Sequence, residues 1–248
     1  MGTQWKDTVD VADGFDAYDD IPERLIGYPA VFAELGIGSA EVSTVLDYGC
    51  GPGKVASRVV EASQVQVLAA DISPRMLDIA RGKRPHPRIS YHQIESAGLP
   101  FLDDCSVDAA MSCYVFINVG NPAEIRAIAA EVYRVLRPGG RYTVLDTNPD
   151  TTGVRFSTFR SGEPGRVYTT GEQRQVVLYQ PGGGVLELTD YHWPKQTYLE
   201  VFGVAGFSQV TVREPLLEGT EATSGVEPDG SLPAETTRPP FLIVTGVK

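Results

Sequence analysis

A chain of 248 residues with 42% hydrophobic content can bury a substantial core, which excludes disorder throughout and fits one large domain or one domain with an insertion. Its formal charge of -11 opposes a long basic surface for neutralising phosphates, so no nucleic acid partner is expected. Cys50, Cys105 and Cys113 are odd in number and lack CxxC spacing, the N-terminus MGTQWKDTVD lacks a secretory pattern, and no apolar run reaches membrane-spanning length, all as in a protein of a reducing cytoplasm without a membrane partner.

In chain order, residues 1–38 read as a helical cap with one amphipathic helix over 21–35. Residues 45–47 predict a first strand inside the run Thr44-Val-Leu-Asp-Tyr-Gly-Cys-Gly-Pro-Gly-Lys54, which closes on an acid and opens into a glycine-rich turn before a helix over 55–62. A second strand over 65–71 ends in Asp71; Ser73 then supplies an N-cap oxygen, Pro74 suits the first helical position, and Gly82 stops that helix. Residues 89–94 and 107–113 are the third and fourth strands. Asn121 and Pro122 start the clearest helix, whose apolar face is Ile125, Ile128, Ala129, Val132, Val135 and Leu136 and which ends at Arg137-Pro-Gly-Gly140. A fifth strand covers 141–146, and the repeated βα units predict an α/β, doubly wound, mostly parallel sheet. Strand-like runs at 174–179 and 185–191 flank Gln180-Pro-Gly-Gly-Gly184 and predict a β-hairpin inserted after the fifth strand, within a substrate cap over 150–195. Tyr198, Leu199, Val201, Phe202 and Ala205 form a helical stripe ended by Gly206, strands follow at 209–213 and 241–247, and 217–240 reads as a long loop. No internal repeat or domain-scale linker divides residues 1–248.

The glycine run can be tested against two nucleotide-binding patterns. A phosphate-binding P-loop requires glycine five residues before Gly53 and Ser or Thr after Lys54, where Tyr48 and Val55 stand. A dinucleotide fingerprint requires glycine at the third position after Gly51, which is Lys54. An NAD-dependent oxidoreductase is therefore the poorer alternative, and a catalytically silent protein that binds cofactor and substrate is the non-enzyme alternative.

VLDYGCGPGK at 45–54, AADIS at 69–73, IESAGLPFLDDCSVDAAMSCYVF at 94–116 and EVYRVLRPGGRYTVLDTNP at 131–149 occur in an order that resembles the class I S-adenosylmethionine-dependent methyltransferases. The chain is most similar to their small-molecule branch, which includes ubiquinone and menaquinone C-methyltransferases and natural-product methyltransferases. That resemblance implies a seven-stranded Rossmann-like sheet with an antiparallel last strand, S-adenosyl-L-methionine as cofactor and S-adenosyl-L-homocysteine as product. It also implies roles for residues. Asp47, Gly49, Gly51 and Gly53 match the loop beneath the methionine and ribose; Asp71 matches the acid that accepts from the ribose hydroxyls; Ile72 and Met76 match the adenine lining. Glu95 and Ser96 match positions at the adenine edge, with Glu95 standing where relatives more often carry Asp. Cys113 and Tyr114 match positions beside the centre of the cofactor, and Tyr18 an N-terminal aromatic that closes over it. Plain structural readings stand beside these: a tight turn for the glycines, a helix cap for Asp71, core packing for Met76 and a small buried side chain for Cys113.

Asn-Pro-Pro-Tyr and Asp-Pro-Pro-Tyr are absent after the fourth strand, no cysteine follows proline, and the acids of metal-dependent catechol enzymes are replaced by Ser112, Cys113 and Asp146-Thr-Asn148. These differences favour a small organic acceptor and no metal. The sulfonium methyl is already electrophilic, so the protein needs mainly to align a nucleophile and exclude water. His192, in Asp190-Tyr-His-Trp193 at the end of the hairpin, is the candidate general base, a packing role being the alternative. Phe156, Tyr191 and Trp193 are candidates for an aromatic substrate pocket.

Overall fold

The computed structural model describes residues 9–218 and 233–248. Its main sheet has seven strands, β1 (Thr44–Tyr48), β2 (Gln66–Asp71), β3 (Ile89–Gln93), β4 (Val107–Cys113), β5 (Leu136–Thr147), β9 (Ser208–Arg213) and β10 (Phe241–Val247), in the order β3-β2-β1-β4-β5-β10-β9. The pairs from β3 to β5 are parallel, and β10 runs antiparallel to both β5 and β9. Strand order reverses between β1 and β4, so the connections leaving their carboxyl ends diverge and open a crevice there.

Alternation along the strands builds two cores. Val45, Met111 and Leu145 face the cluster that holds Val31, Leu35, Val55, Val59 and Leu77, from α2 (Tyr28–Leu35), α3 (Lys54–Ala62) and α4 (Pro74–Lys83). Leu46, Ala110 and Val144 face the opposite cluster, with Ile125, Val132 and Phe202 from α5 (Pro122–Val135) and α6 (Lys195–Ala205). Both faces of the parallel strands are thus covered, which is why these segments read as nearly continuous apolar runs. β5 starts earlier than residue 141: Val107 pairs with Leu136 and Ala109 with Arg141, so Arg137-Pro-Gly-Gly140 is an irregularity inside the strand.

The N-terminal region has more structure than its pattern predicts. Residues 21–35 are helical, but Glu23–Gly27 forms a π-helical turn in which the N–H of Tyr28 bonds to the carbonyl of Glu23. Pro29 explains the widening, because its ring has no N–H and crowds the carbonyl four residues earlier. A further helix, α1 (Val9–Ala17), has a glycine and three acids in nine residues and little local signal. Tertiary contacts hold it: Asp13 pairs with Arg75 at 2.7 Å, Asp16 with Lys83 at 2.6 Å and Arg84 at 2.7 Å, and Ala12 packs with Met76 and Ile79.

The inserted segment is a three-stranded antiparallel sheet, one strand more than a hairpin: β6 (Phe159–Ser161), β7 (Gln173–Tyr179) and β8 (Val185–Tyr191). β6 is too short to show periodicity, yet a two-stranded hairpin alone is marginal in water and the extra strand supports it. Residues 219–232 of the expected 217–240 loop lie outside the described residues. Arg174 and Asp190, opposite each other in β7 and β8, form a two-bonded ion pair at 2.7 and 3.1 Å, and Arg174 also donates to Thr147 at the end of β5 at 2.6 Å. This network ties the inserted sheet to the main one. Arg174→Ala leaves the Asp190 carboxylate buried without its cation and is expected to lower stability by about 3–5 kcal/mol in urea denaturation.

Candidate active site

The crevice at the carboxyl ends of β1, β2 and β4 holds a cavity of about 490 Å³, joined through shared walls to a smaller one of about 50 Å³. Its floor is backbone. The N–H groups of Gly49 and Cys50 both donate to the carbonyl of Ala70, at 2.7 and 3.0 Å, which folds the loop back over β2. Gly49 has φ of 80°, and a Cβ there would stand 2.3 Å from a methyl of Val115; only glycine allows the loop to pass at this height. Asp71 at the end of β2 accepts from the N–H of Gly51 through Oδ2 and of Ser73 through Oδ1, both at 2.8 Å. Burial raises its pKa against the pull of these bonds. Each carboxylate oxygen keeps a second acceptor site for a ligand hydroxyl.

At the end of β4, Tyr114 takes a left-handed backbone with φ of 61°, uncommon for a bulky residue. Asn118 supports it by donating to the Tyr114 carbonyl at 2.6 Å. The turn aims the Tyr114 hydroxyl at Glu23, 2.9 Å away. Tyr18, at the end of α1, also donates to Glu23, at 3.2 Å, and its hydroxyl lies 2.6 Å from the Thr158 hydroxyl of the inserted segment. Lys54 donates to the Tyr18 carbonyl at 2.6 Å, joining the glycine loop to the N-terminal cap. Phe159, Val176, Leu178 and Leu188 form an apolar roof, with Asp190 and Tyr191 at its rim.

Tyr18, Gly49, Gly51, Asp71, Ile72, Met76, Cys113 and Tyr114 all line the large cavity, and Asp47 lines the smaller one. Gly53 lines neither; it has φ of 80° at the start of α3, where a Cβ would meet the Tyr91 hydroxyl at 2.7 Å. Glu95 and Ser96 are exposed on the loop after β3 and also lie outside both walls. Among the expected substrate residues only Tyr191 reaches the cavity. Phe156 is buried behind the wall against Phe159, with ring centres 5.0 Å apart, and Trp193 spends its indole N–H on the carbonyls of Phe116 and Val119, each at 3.1 Å.

His192 lines neither cavity. The chain has left β8 after Tyr191, the backbone N–H bonds to Glu172, and the ring lies 6.0 Å from that of Tyr168. Burial first, and the Arg174 charge second, lower its pKa. Glu23 and Phe15 are cavity residues that motif reading misses, although Glu23 precedes Ile26 by three residues on the buried side of one helix. The thiols of Cys50 and Cys113 are pushed up by burial and are not activated.

Fold and cavity together define a Rossmann-like ligand site at a strand-order switch. Residues 45–140 match the family described as "Methyltransferase domain". N-demethylindolmycin N-methyltransferase of Streptomyces griseus is 37% identical over 224 residues, covering 89% of each chain. A ubiquinone/menaquinone biosynthesis C-methyltransferase of Desulfotalea psychrophila is 29% identical, covering 73% of this chain and 72% of its own. An S-adenosylmethionine-dependent methyltransferase from Mesorhizobium loti has the same fold, with a TM-score of 0.62 at 22% identity over 89% of this chain and 96% of its own. The chain belongs to the S-adenosylmethionine-dependent methyltransferases, in their small-molecule branch. That membership replaces the oxidoreductase alternative. No described helix is long and apolar enough to cross a membrane.

Asp47 carries an electrostatic consequence. Burial, helped by the Asp71 charge, raises its pKa from 3.8 to about 7, and Oδ2 has no hydrogen-bond partner among the described residues. A carboxyl raised in the folded state binds more protons folded than unfolded, so its penalty is relieved below the unfolded pKa and grows as pH rises through the folded one. Asp47→Asn is therefore expected to raise the melting temperature by several degrees at about pH 8 and by little at about pH 5, as calorimetry at the two values will check.

Proposed function

We propose that the two cavities hold S-adenosylmethionine and that the protein methylates a small, ring-containing or apolar metabolite, at nitrogen in the first instance. The observation that carries this reading is the juxtaposition of the Asp71 carboxylate, the Gly49 to Gly51 floor and the apolar roof around one space. The residues fit the cofactor: Asp71 retains acceptor sites for a vicinal diol, Ile72 and Met76 supply an apolar wall for a base, and Gly49 leaves a gap that any side chain would fill. Asp47, Lys54 and Asp20 around the smaller cavity supply both signs of charge for the amino-acid end. The preference for nitrogen is drawn from the N-methyltransferase that is 37% identical.

When bound, the cofactor supplies a sulfonium methyl group open to attack. This chain's own contribution is alignment and exclusion of water. Cys113 and Tyr114 border the middle of the cavity, Tyr18 closes it from the cap, and the roof of the inserted sheet shapes the acceptor space. His192 has no role in the step as drawn, and no metal is invoked.

Titration with S-adenosylhomocysteine in a calorimeter is expected to show binding, and Asp71→Ala to weaken it about 10- to 100-fold, the worth of one charge-assisted contact. Tight NADH binding without a response to the sulfur ligand would overturn the reading. In a radiolabelled methyl-transfer assay with N-demethylindolmycin and related ring-bearing amines, His192→Ala is expected to keep turnover within about threefold of wild type.

A further inference from the structure

Glu23 is a buried carboxylate that faces both cavities, with 3% of its surface exposed. It accepts hydrogen bonds from the phenols of Tyr18 and Tyr114 and from its own backbone N–H. The titratable groups around it are Tyr18 at the end of α1, Asp20 just beyond, Tyr28 of α2, Cys113 at the end of β4 and Tyr114 after it. The nearby cations are engaged elsewhere: Lys54, which shares the wall of the smaller cavity, donates to the Tyr18 carbonyl at 2.6 Å, and Arg58 pairs with Asp20 and lies over the Tyr28 ring. Of the other acids on these walls, Asp20 pairs with Arg58 at 2.8 Å and Asp190 with Arg174 at 2.7 Å, whereas Asp47 lines the smaller cavity with no ion pair among the described residues. Two unusual backbone features converge on Glu23, the π-helical turn that it opens and the left-handed Tyr114 that turns toward it. Isolated burial of a carboxylate is costly, so a cleft carboxylate that no cation contacts directly is a candidate for pairing with a ligand's cation.

We infer that Glu23 is the acceptor-nitrogen site: its carboxylate binds the N–H of an amine with an apolar, ring-sized body and takes the proton which that nitrogen gives up. This rests on the methyl-transfer reading above. The side on which Glu23 lies favours the acceptor over the cofactor, because Tyr18 links it to Thr158, and the next residue, Phe159, belongs to the apolar roof. In the step, the nitrogen lone pair forms the new N–C bond, the C–S bond breaks with its electron pair left on sulfur, and one N–H proton passes to a Glu23 oxygen. Burial, the largest cause, and the nearby Asp20 raise Glu23 to about 7, a value suited to accepting a proton at neutral pH and releasing it afterwards. An oxygen acceptor of the same shape would lack the positive charge that this carboxylate stabilises.

The test uses the S-adenosylhomocysteine complex of the full chain, titrated with benzylamine and with benzyl alcohol, in wild type and in Glu23→Gln, which keeps an oxygen for the two phenols. Wild type is expected to bind the amine about tenfold or more tightly than the alcohol, and Glu23→Gln to reduce that preference to about twofold, the effect of losing one charge-assisted contact. Affinity for S-adenosylhomocysteine is expected to stay within about threefold between the two proteins. Should the variant fold poorly by circular dichroism, wild type alone serves: amine affinity should rise from about pH 6 to about pH 8 as Glu23 ionises, with alcohol affinity flat. A preference that survives in Glu23→Gln, or is absent in wild type, overturns the inference and leaves the methyltransferase reading intact. A tenfold or larger loss of S-adenosylhomocysteine affinity in the variant would assign Glu23 to the cofactor's ammonium instead, by the arithmetic of one ion pair. Failure of wild type to bind S-adenosylhomocysteine at all overturns the underlying reading, and the inference with it.

Discussion

The hydrogen bonds that Asp71 accepts from Gly51 and Ser73 are the constraint on which the rest of the site depends. One carboxylate at the end of β2 fastens the loop that leaves β1 to the first turn of α4, so two chain segments with no covalent neighbour between them share one geometry. With the loop held, Gly49 must pass close under Val115, and Lys54 emerges at the start of α3 where it can reach the carbonyl of Tyr18. The N-terminal cap is thus positioned from the same point as the floor. Ion pairs from Asp13 and Asp16 to α4 add a second attachment on the far side of α1. Such partly exposed pairs are individually weak, and their worth lies in fixing register.

Charge is distributed unevenly across the cavity. Acids cluster on the floor and the cap side, while the inserted sheet contributes a mainly apolar roof whose one buried acid, Asp190, is neutralised by Arg174. Low polarity in this space strengthens any remaining charge and keeps water from competing for the acceptor. The buried acids respond as that environment requires: Asp47 and Glu23 rise to about 7 and Asp190 to about 6.

Much of the sheet and of the floor was legible in the sequence. Strands β1, β2, β4 and β10 are buried on both faces, and their apolar runs report that directly. The αL conformations at Gly49, Gly51 and Gly53 are written in residue type. The inserted region was less legible because its third strand has three residues, and because a side chain near a strand end can turn either way. His192 follows β8 by one residue and leaves the site, whereas Tyr191 remains at its rim. Phe156 and Trp193 are aromatic for packing reasons that resemble those of a binding wall until the neighbours are known. Gly53, Glu95 and Ser96 carry motif positions but contribute to the turn or the surface.

By itself the sequence determined the parallel core and the glycine loop after β1, because periodicity, glycine conformation and capping are properties of contiguous residues. Only the tertiary structure decided what else faces the cavity. α1 has almost no local signal and is held by residues more than 60 positions away, and Tyr18 meets Thr158 across 140 positions. Glu23 becomes a site residue only when a helix widened by Pro29, a strained turn after β4 and the inserted sheet enclose the same few ångströms. Those encounters depend on how distant segments pack, which no window of neighbouring residues encodes.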